Sequence, residues 1–233
     1  MSVTTKDAVI GPGPSRLSIF WMSTVGKKVL MALSGIILFA YVIAHMLGNM
    51  QIYMGSEVIK RYAEFLHSNE GLLWTARIVL LAAVLVHAVA GIQLWARKRE
   101  ARPIPYRNKE NIQATPASRT MIWTGVIIAV FVVYHVFDLT VGSAHAGQYR
   151  ELDPAFNITQ GFAYFPAALA YIVAMVALGF HLWHGVYSMF GTLGLDSARY
   201  MAGVRRVAAF LATVIALANI SVPLAVLTGL LHG

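Results

Sequence analysis

Four histidines, His45, His87, His135 and His181, each lie inside a separate apolar run of membrane-spanning length. An imidazole at that depth is costly unless something specific uses it. Hydrogen bonding between helices and metal ligation are two such uses. Paired across neighbouring helices, four imidazoles supply both axial ligands to each of two haem irons, which leaves no coordination position for oxygen or a substrate. The chemistry of such a centre is electron transfer.

The surrounding residues repeat. Gly35 precedes His45 by ten positions and Gly125 precedes His135 by ten, while Gly91 follows His87 by four and Gly185 follows His181 by four. Residues four apart share a helix face, so the last two glycines leave room for a flat macrocycle beside the backbone. The chain reads as one helix pair used twice, with a fifth helix added.

Depth sets the pairing. At 1.5 Å per residue His45 lies about 25 Å beyond Lys28, and His135 lies about 24 Å beyond Arg119. Counted the same way, His87 is about 15 Å from Arg97, and His181 about 15 Å from Gly191. Both axial ligands must reach one iron from opposite faces, so His45 pairs with His135 and His87 with His181. Four histidines at two matched depths are poorly explained by hydrogen bonding between helices alone. His184 stands three residues from His181 on nearly the same face and is the alternative ligand at that level. The repeat favours His181, which has the glycine four residues on.

The elements that must carry these residues follow from composition. With 58% hydrophobic and 12% charged residues among 233, and a mean hydropathy of +0.65, the chain is too apolar for a soluble domain of this size. Windows of about 20 apolar residues predict an all-α membrane protein with helices near 29–50, 73–96, 120–141, 161–190 and 207–230. Residues 1–28 form an N-terminal segment and 29–233 a single transmembrane domain. Pro12, Pro14, Arg16 and Lys27 interrupt the first 27 residues, so no cleavable signal peptide is expected.

The net charge of +8 does not point to nucleic acid, because its distribution follows the membrane. Lys6, Arg16, Lys27, Lys28, the cluster from Arg97 to Arg119, Arg199, Arg205 and Arg206 all fall on one side of the five-helix arrangement. Lys60, Arg61, Arg77 and Arg150 fall on the other. The positive-inside rule puts the N-terminus, the 97–119 connection and the 191–206 connection in the cytoplasm and the C-terminus outside. Without cysteine the chain carries neither an iron–sulfur cluster nor a covalently attached c-type haem. Any cluster that feeds it belongs to another subunit.

Pro103, Pro105 and Pro116 forbid a continuous helix through 97–119, whose basic surface suits anionic lipid or a soluble partner. The connections 51–72 and 142–160 carry Glu57, Glu64, Glu70, Glu151 and Asp153 and are long enough to cap the helix ends. Lys27, Lys28, Arg97 and Arg119 are the rim cations available to haem propionates, with Ser34 deeper and His184 a further candidate. Arg77 is the outer cation. Trp74, Trp95, Trp123 and Trp183, with Tyr41 and Tyr134, read as interfacial belt or packing. His67, His145 and His232 fall in outer connections or at the C-terminus and take no ligand role.

The stretches GKKVLMALSGIILFAYVIAHM (26–46), RIVLLAAVLVHAVAG (77–91), WTGVIIAVFVVYHVFD (123–138) and HLWHGVYSMFGTLG (181–194) resemble the five-helix dihaem cytochrome b anchor of succinate:quinone oxidoreductases, the succinate dehydrogenase and fumarate reductase family. The resemblance covers nearly all five spans. It implies His45, His87, His135 and His181 as axial ligands of two haem b groups. It also implies cytoplasmic flavoprotein and iron–sulfur subunits as partners, a membrane quinone (menaquinone) as electron acceptor, and a bacterial cytoplasmic membrane as the location. Succinate chemistry would then lie on a partner, with this chain at the quinone-reducing end.

A carboxylate near the outer haem suits proton exchange with a quinone. The candidates are Glu64, Glu57 and Asp138, the last three residues after His135. Two other classes fit parts of the pattern. The cytochrome b of a hydrogenase or formate dehydrogenase would place its partners on the other side of the membrane. A haem-free transporter with a histidine relay explains isolated polar residues but not matched depths and repeated glycines.

Overall fold

Five helices are long and apolar enough to cross a membrane, over Thr24–Met54, Glu70–Glu100, Pro116–Thr140, Phe165–Thr192 and Arg199–Leu227, the number that hydropathy predicts. They belong to a computed structural model that describes residues 15–101, 114–145 and 147–232. The expectations for Lys6, Pro12, Pro14, Arg102, Pro103, Pro105, Arg107 and Lys109, and for the His145 side chain, fall outside the described residues.

In chain order the described residues form α1 (Arg16–Met22), α2 (Thr24–Asn49), α3 (Ser56–Ser68), α4 (Glu70–Glu100), α5 (Pro116–His135), α6 (Pro154–Ala163), α7 (Phe165–Thr192) and α8 (Ala198–Leu227), with no strand among them. A 3₁₀ turn, Met50–Met54, prolongs α2, and a π-helical turn, Val136–Thr140, prolongs α5.

Local chemistry sets the boundaries. The Ser23 side chain accepts from Gly26 N (2.8 Å) and caps α2, so the first span starts five residues before the expected position 29. Thr115 caps α5 through Ser118 N at 3.2 Å, with Pro116 at the first helical position, where its missing N–H costs nothing. Asp153 caps α6 the same way through Phe156 N at 3.1 Å, followed by Pro154. Gly194 (φ 77) and Gly229 (φ 74) take the left-handed conformation that closes α7 and α8. The accompanying bonds are Leu195 N to Phe190 O (2.9 Å) and Leu230 N to Ala225 O (2.8 Å).

Two expected boundaries are corrected. The helix expected over 161–190 is divided, because the chain is extended at Tyr164 and α7 begins anew with a proline in its first turn. The fifth helix starts at Ala198 rather than near 207. Arg199, Arg205 and Arg206 are therefore helical rather than part of a loop. Arginine is a good helix former, and its long side chain carries its charge to water from a helix end.

α2 packs along α4, α5 along α7, and α8 along α7, while α4 and α5 approach each other more sparingly. The connections α3 and α6 fold over one end. There Ile52, Ile59, Ala155, Ile158, Phe162, Ala168, Tyr171 and Val222 form an apolar cluster. At the other end α1 is tied down by two cations. Lys27 is buried (5% exposed) and donates to Trp21 O at 2.9 Å. Arg97 donates to Met22 O at 2.6 Å and to Thr24 Oγ1 at 3.2 Å. Both satisfy carbonyls that the end of α1 would leave open.

Candidate functional site

The four histidines come together as two pairs. The rings of His45 (α2) and His135 (α5) lie 5.6 Å apart between centroids, at an interplanar angle of 87°. Those of His87 (α4) and His181 (α7) lie 6.1 Å apart at 62°. Each pair thus joins the α2–α4 unit to the α5–α7 unit. A methyl group built on Gly35 would stand 3.4 Å from His87 Cε1, and one on Gly125 would stand 3.6 Å from His181 Cε1. Gly35 and Gly125 therefore mark the His87–His181 level. Because each precedes the other level's histidine by ten residues, the two levels are separated by about 15 Å along the helix axes.

Each ring is held through Nδ1. For His87 the partners are Ser34 Oγ at 3.3 Å and Met31 O at 3.1 Å. Ser34 gives its own proton to Leu30 O at 2.7 Å, so toward the ring its oxygen accepts. A backbone carbonyl can only accept. His87 is therefore protonated at Nδ1. The second half of the chain repeats the device: His181 Nδ1 lies 3.2 Å from Thr124 Oγ1, and that hydroxyl donates to Thr120 O at 3.1 Å.

At the other level His135 Nδ1 faces Tyr171 Oη at 3.2 Å, and Tyr171 donates to Asp138 Oδ2 at 2.7 Å. The phenol proton is spent on the carboxylate, so its oxygen accepts from His135. His45 Nδ1 lies 3.5 Å from Tyr41 Oη one helical turn earlier, with the two rings stacked at 5.4 Å.

A ring protonated and held at Nδ1 presents the lone pair of Nε2, the arrangement that metal-ligating histidines adopt. Two metal–nitrogen bonds of about 2 Å, plus roughly 1 Å from each nitrogen to its ring centre, put facing imidazole centroids about 6 Å apart. The separations of 5.6 and 6.1 Å fit. Among the described residues no three His, Cys, Asp or Glu side chains converge as a metal site. Two imidazoles per level therefore suit a metal that brings its own equatorial ligands, as a porphyrin does.

The remaining sequence candidates separate. Ser34 is buried against His87, and Lys27 and Arg97 are committed to α1. Lys28 and Arg119 are exposed and His184 is half-buried, all at the α1 end. The ring that faces His87 is that of His181. Glu57 and Glu64 are exposed on α3. Asp138 is not a helix-end carboxylate in water: it is 3% exposed, inside the π-helical turn. His67 is exposed and bonds its own helix at Ala63 O (2.8 Å), and His232 is exposed.

Sequence reasoning missed Thr124 and Tyr171. Thr124 had a signal, since Thr124-Gly125 stands where Ser34-Gly35 stands in the first half. Tyr171 had none in the repeat: ten residues before His181 it occupies the place that Arg77 holds before His87.

Comparison with family models matches residues 105–220, about half of the chain, to the succinate dehydrogenase/fumarate reductase transmembrane subunit. The match contains Thr124, His135, Asp138, Tyr171 and His181. Comparison with curated proteins gave no match, and comparison with solved structures gave none. Five apolar spans and the family model agree: the chain belongs to the family of transmembrane subunits of succinate dehydrogenase and fumarate reductase.

Proposed function

We propose that this chain is the dihaem cytochrome b anchor of a succinate dehydrogenase. When bound, two haem b groups supply one-electron transfer between a cytoplasmic iron–sulfur subunit, fed by a flavoprotein subunit, and a membrane quinone, menaquinone. The observation that carries this reading is the presence of two facing imidazole pairs, His45–His135 and His87–His181, at levels about 15 Å apart, each ring held through Nδ1.

His45, His87, His135 and His181 hold the irons through Nε2. Ser34 and Thr124 fix the tautomers of His87 and His181. Lys28, Arg119 and His184 are the donors left for propionates at the α1 end, Ser34, Lys27 and Arg97 having their own partners. Glu64, exposed on α3 as Glu57 is, is a carboxylate open to a quinone and water. The positive-inside rule supports an N-terminus in the cytoplasm of a bacterial cell and a C-terminus outside.

A dithionite-reduced minus oxidised spectrum of the purified chain, with pyridine haemochrome quantitation, tests the proposal. Two b-type haems per chain are expected. One haem retires a pair, and a colourless chain that retains its helical fold sinks the reading.

A further inference from the structure

The two levels differ in what lies behind the histidines. Behind His87 and His181 the acceptors are neutral: the Ser34 and Thr124 hydroxyls and the Met31 carbonyl. Behind His135 the chain of bonds reaches a carboxylate, from His135 Nδ1 to Tyr171 Oη (3.2 Å) to Asp138 Oδ2 (2.7 Å). All three side chains come from elements that fix them. Tyr171 lies on α7 and is buried, with Phe131 and Phe162 at 4.9 and 4.7 Å between ring centroids. Asp138 sits in the π-helical turn closed by Val141 N to Val136 O at 2.8 Å. That wide turn changes the register after His135, and π-helical turns are often kept at working sites. A carboxylate buried to 3% exposure is expensive unless its hydrogen bonds are used.

We infer that Asp138, acting through Tyr171, is a positioning residue that sets the reduction potential of the centre at the His45–His135 level below the value its imidazoles alone would give. The inference rests on the proposed haem ligation. A carboxylate behind the phenol draws the Nδ1 proton of His135 toward Tyr171 and makes Nε2 a stronger electron donor. A stronger donor favours the oxidised metal. The couple concerned is the one-electron reduction of iron, with no bond formed or broken in the protein. The His87–His181 level has only neutral acceptors and receives no such bias. Asp138, one of the three carboxylates that the sequence offers for quinone chemistry, thus acts on the metal.

The test is a redox titration, followed in the visible spectrum, of the membrane complex carrying Asp138→Asn or Tyr171→Phe. Each variant should shift one of the two couples upward, by about tenfold in the ferrous-to-ferric ratio, or about 59 mV for one electron. The other couple should stay in place, and pyridine haemochrome should still give two haems. The couple that moves should be the one missing from His135→Ala. Two haems with both potentials unchanged in both variants would overturn the inference while leaving the haem reading intact. Loss of the haem at that level from both variants would overturn it too, by showing that the relay holds the group rather than tunes it. A wild-type complex without haem would instead defeat the underlying reading.

Discussion

The Thr124 hydroxyl accepts the Nδ1 proton of His181 at 3.2 Å, because its own proton is already given to Thr120 O. The same logic joins Ser34 to His87, so one small hydroxylated residue followed by glycine fixes each ring of this level. Losing an acceptor behind a ligating histidine typically costs about 10–100-fold in metal affinity. Thr124→Val keeps the shape and removes the acceptor. It should weaken haem retention at the His87–His181 level by that order, read as loss of one haem during dilution or competition with apo-myoglobin. Ser34→Ala should cost less, because Met31 O at 3.1 Å still accepts from His87.

Gly35 and Gly125 lie under those same rings. A methyl group there would meet the His87 or His181 Cε1 at 3.4 or 3.6 Å, which is ordinary contact. Alanine at either position should therefore leave two haems per chain. Leucine has no such room and must push the ring off its acceptor, so Gly125→Leu should lose one haem while the potential of the other persists. Equal haem content in the alanine and leucine variants would contradict this packing.

Lys27 tests whether the cations at the α1 end serve the fold or a cofactor. Its ammonium bonds Trp21 O at 2.9 Å from a buried position, and Arg97 bonds Met22 O. Lys27→Met leaves a carbonyl without its partner, a cost of about 1–3 kcal/mol. The expected result is faster amide hydrogen exchange in Arg16–Met22 with an unchanged haem spectrum. A shifted spectrum with unchanged exchange would instead make Lys27 a propionate donor.

What could be read from the sequence was what repeats or what hydropathy measures. The five spans stood out because apolar windows mark them, and the meeting of His45 with His135 and of His87 with His181 follows from depth counted along straight helices. The break at Tyr164 was hidden because hydropathy runs smoothly through Gly-Phe-Ala-Tyr-Phe-Pro; Pro166 alone announced it, and proline is tolerated in a first helical turn. The early start of α8 was hidden by Arg199, Arg205 and Arg206, which hydropathy assigns to loops although they extend helices readily. The relay from His135 to Asp138 depends on a change of register in a single π-helical turn and on a tyrosine with no counterpart in the first half. Neither leaves a period to find.

The choice between His181 and His184 is decided by what surrounds each ring. His181 has Thr124 on its Nδ1, Gly125 beneath its Cε1 and His87 opposite at 6.1 Å. His184 lies three residues on, half-buried and turned by about 60° around the helix, where none of those three partners follows it. His181→Ala should therefore give one haem per chain by pyridine haemochrome, with the helical circular dichroism retained. His184→Ala should keep two, and any shift in potential should be confined to the His87–His181 couple, as expected for a residue that contacts a propionate. The reverse outcome, two haems in His181→Ala and one in His184→Ala, would transfer the ligand role by one helical turn. It would also require α7 to rotate away from Thr124.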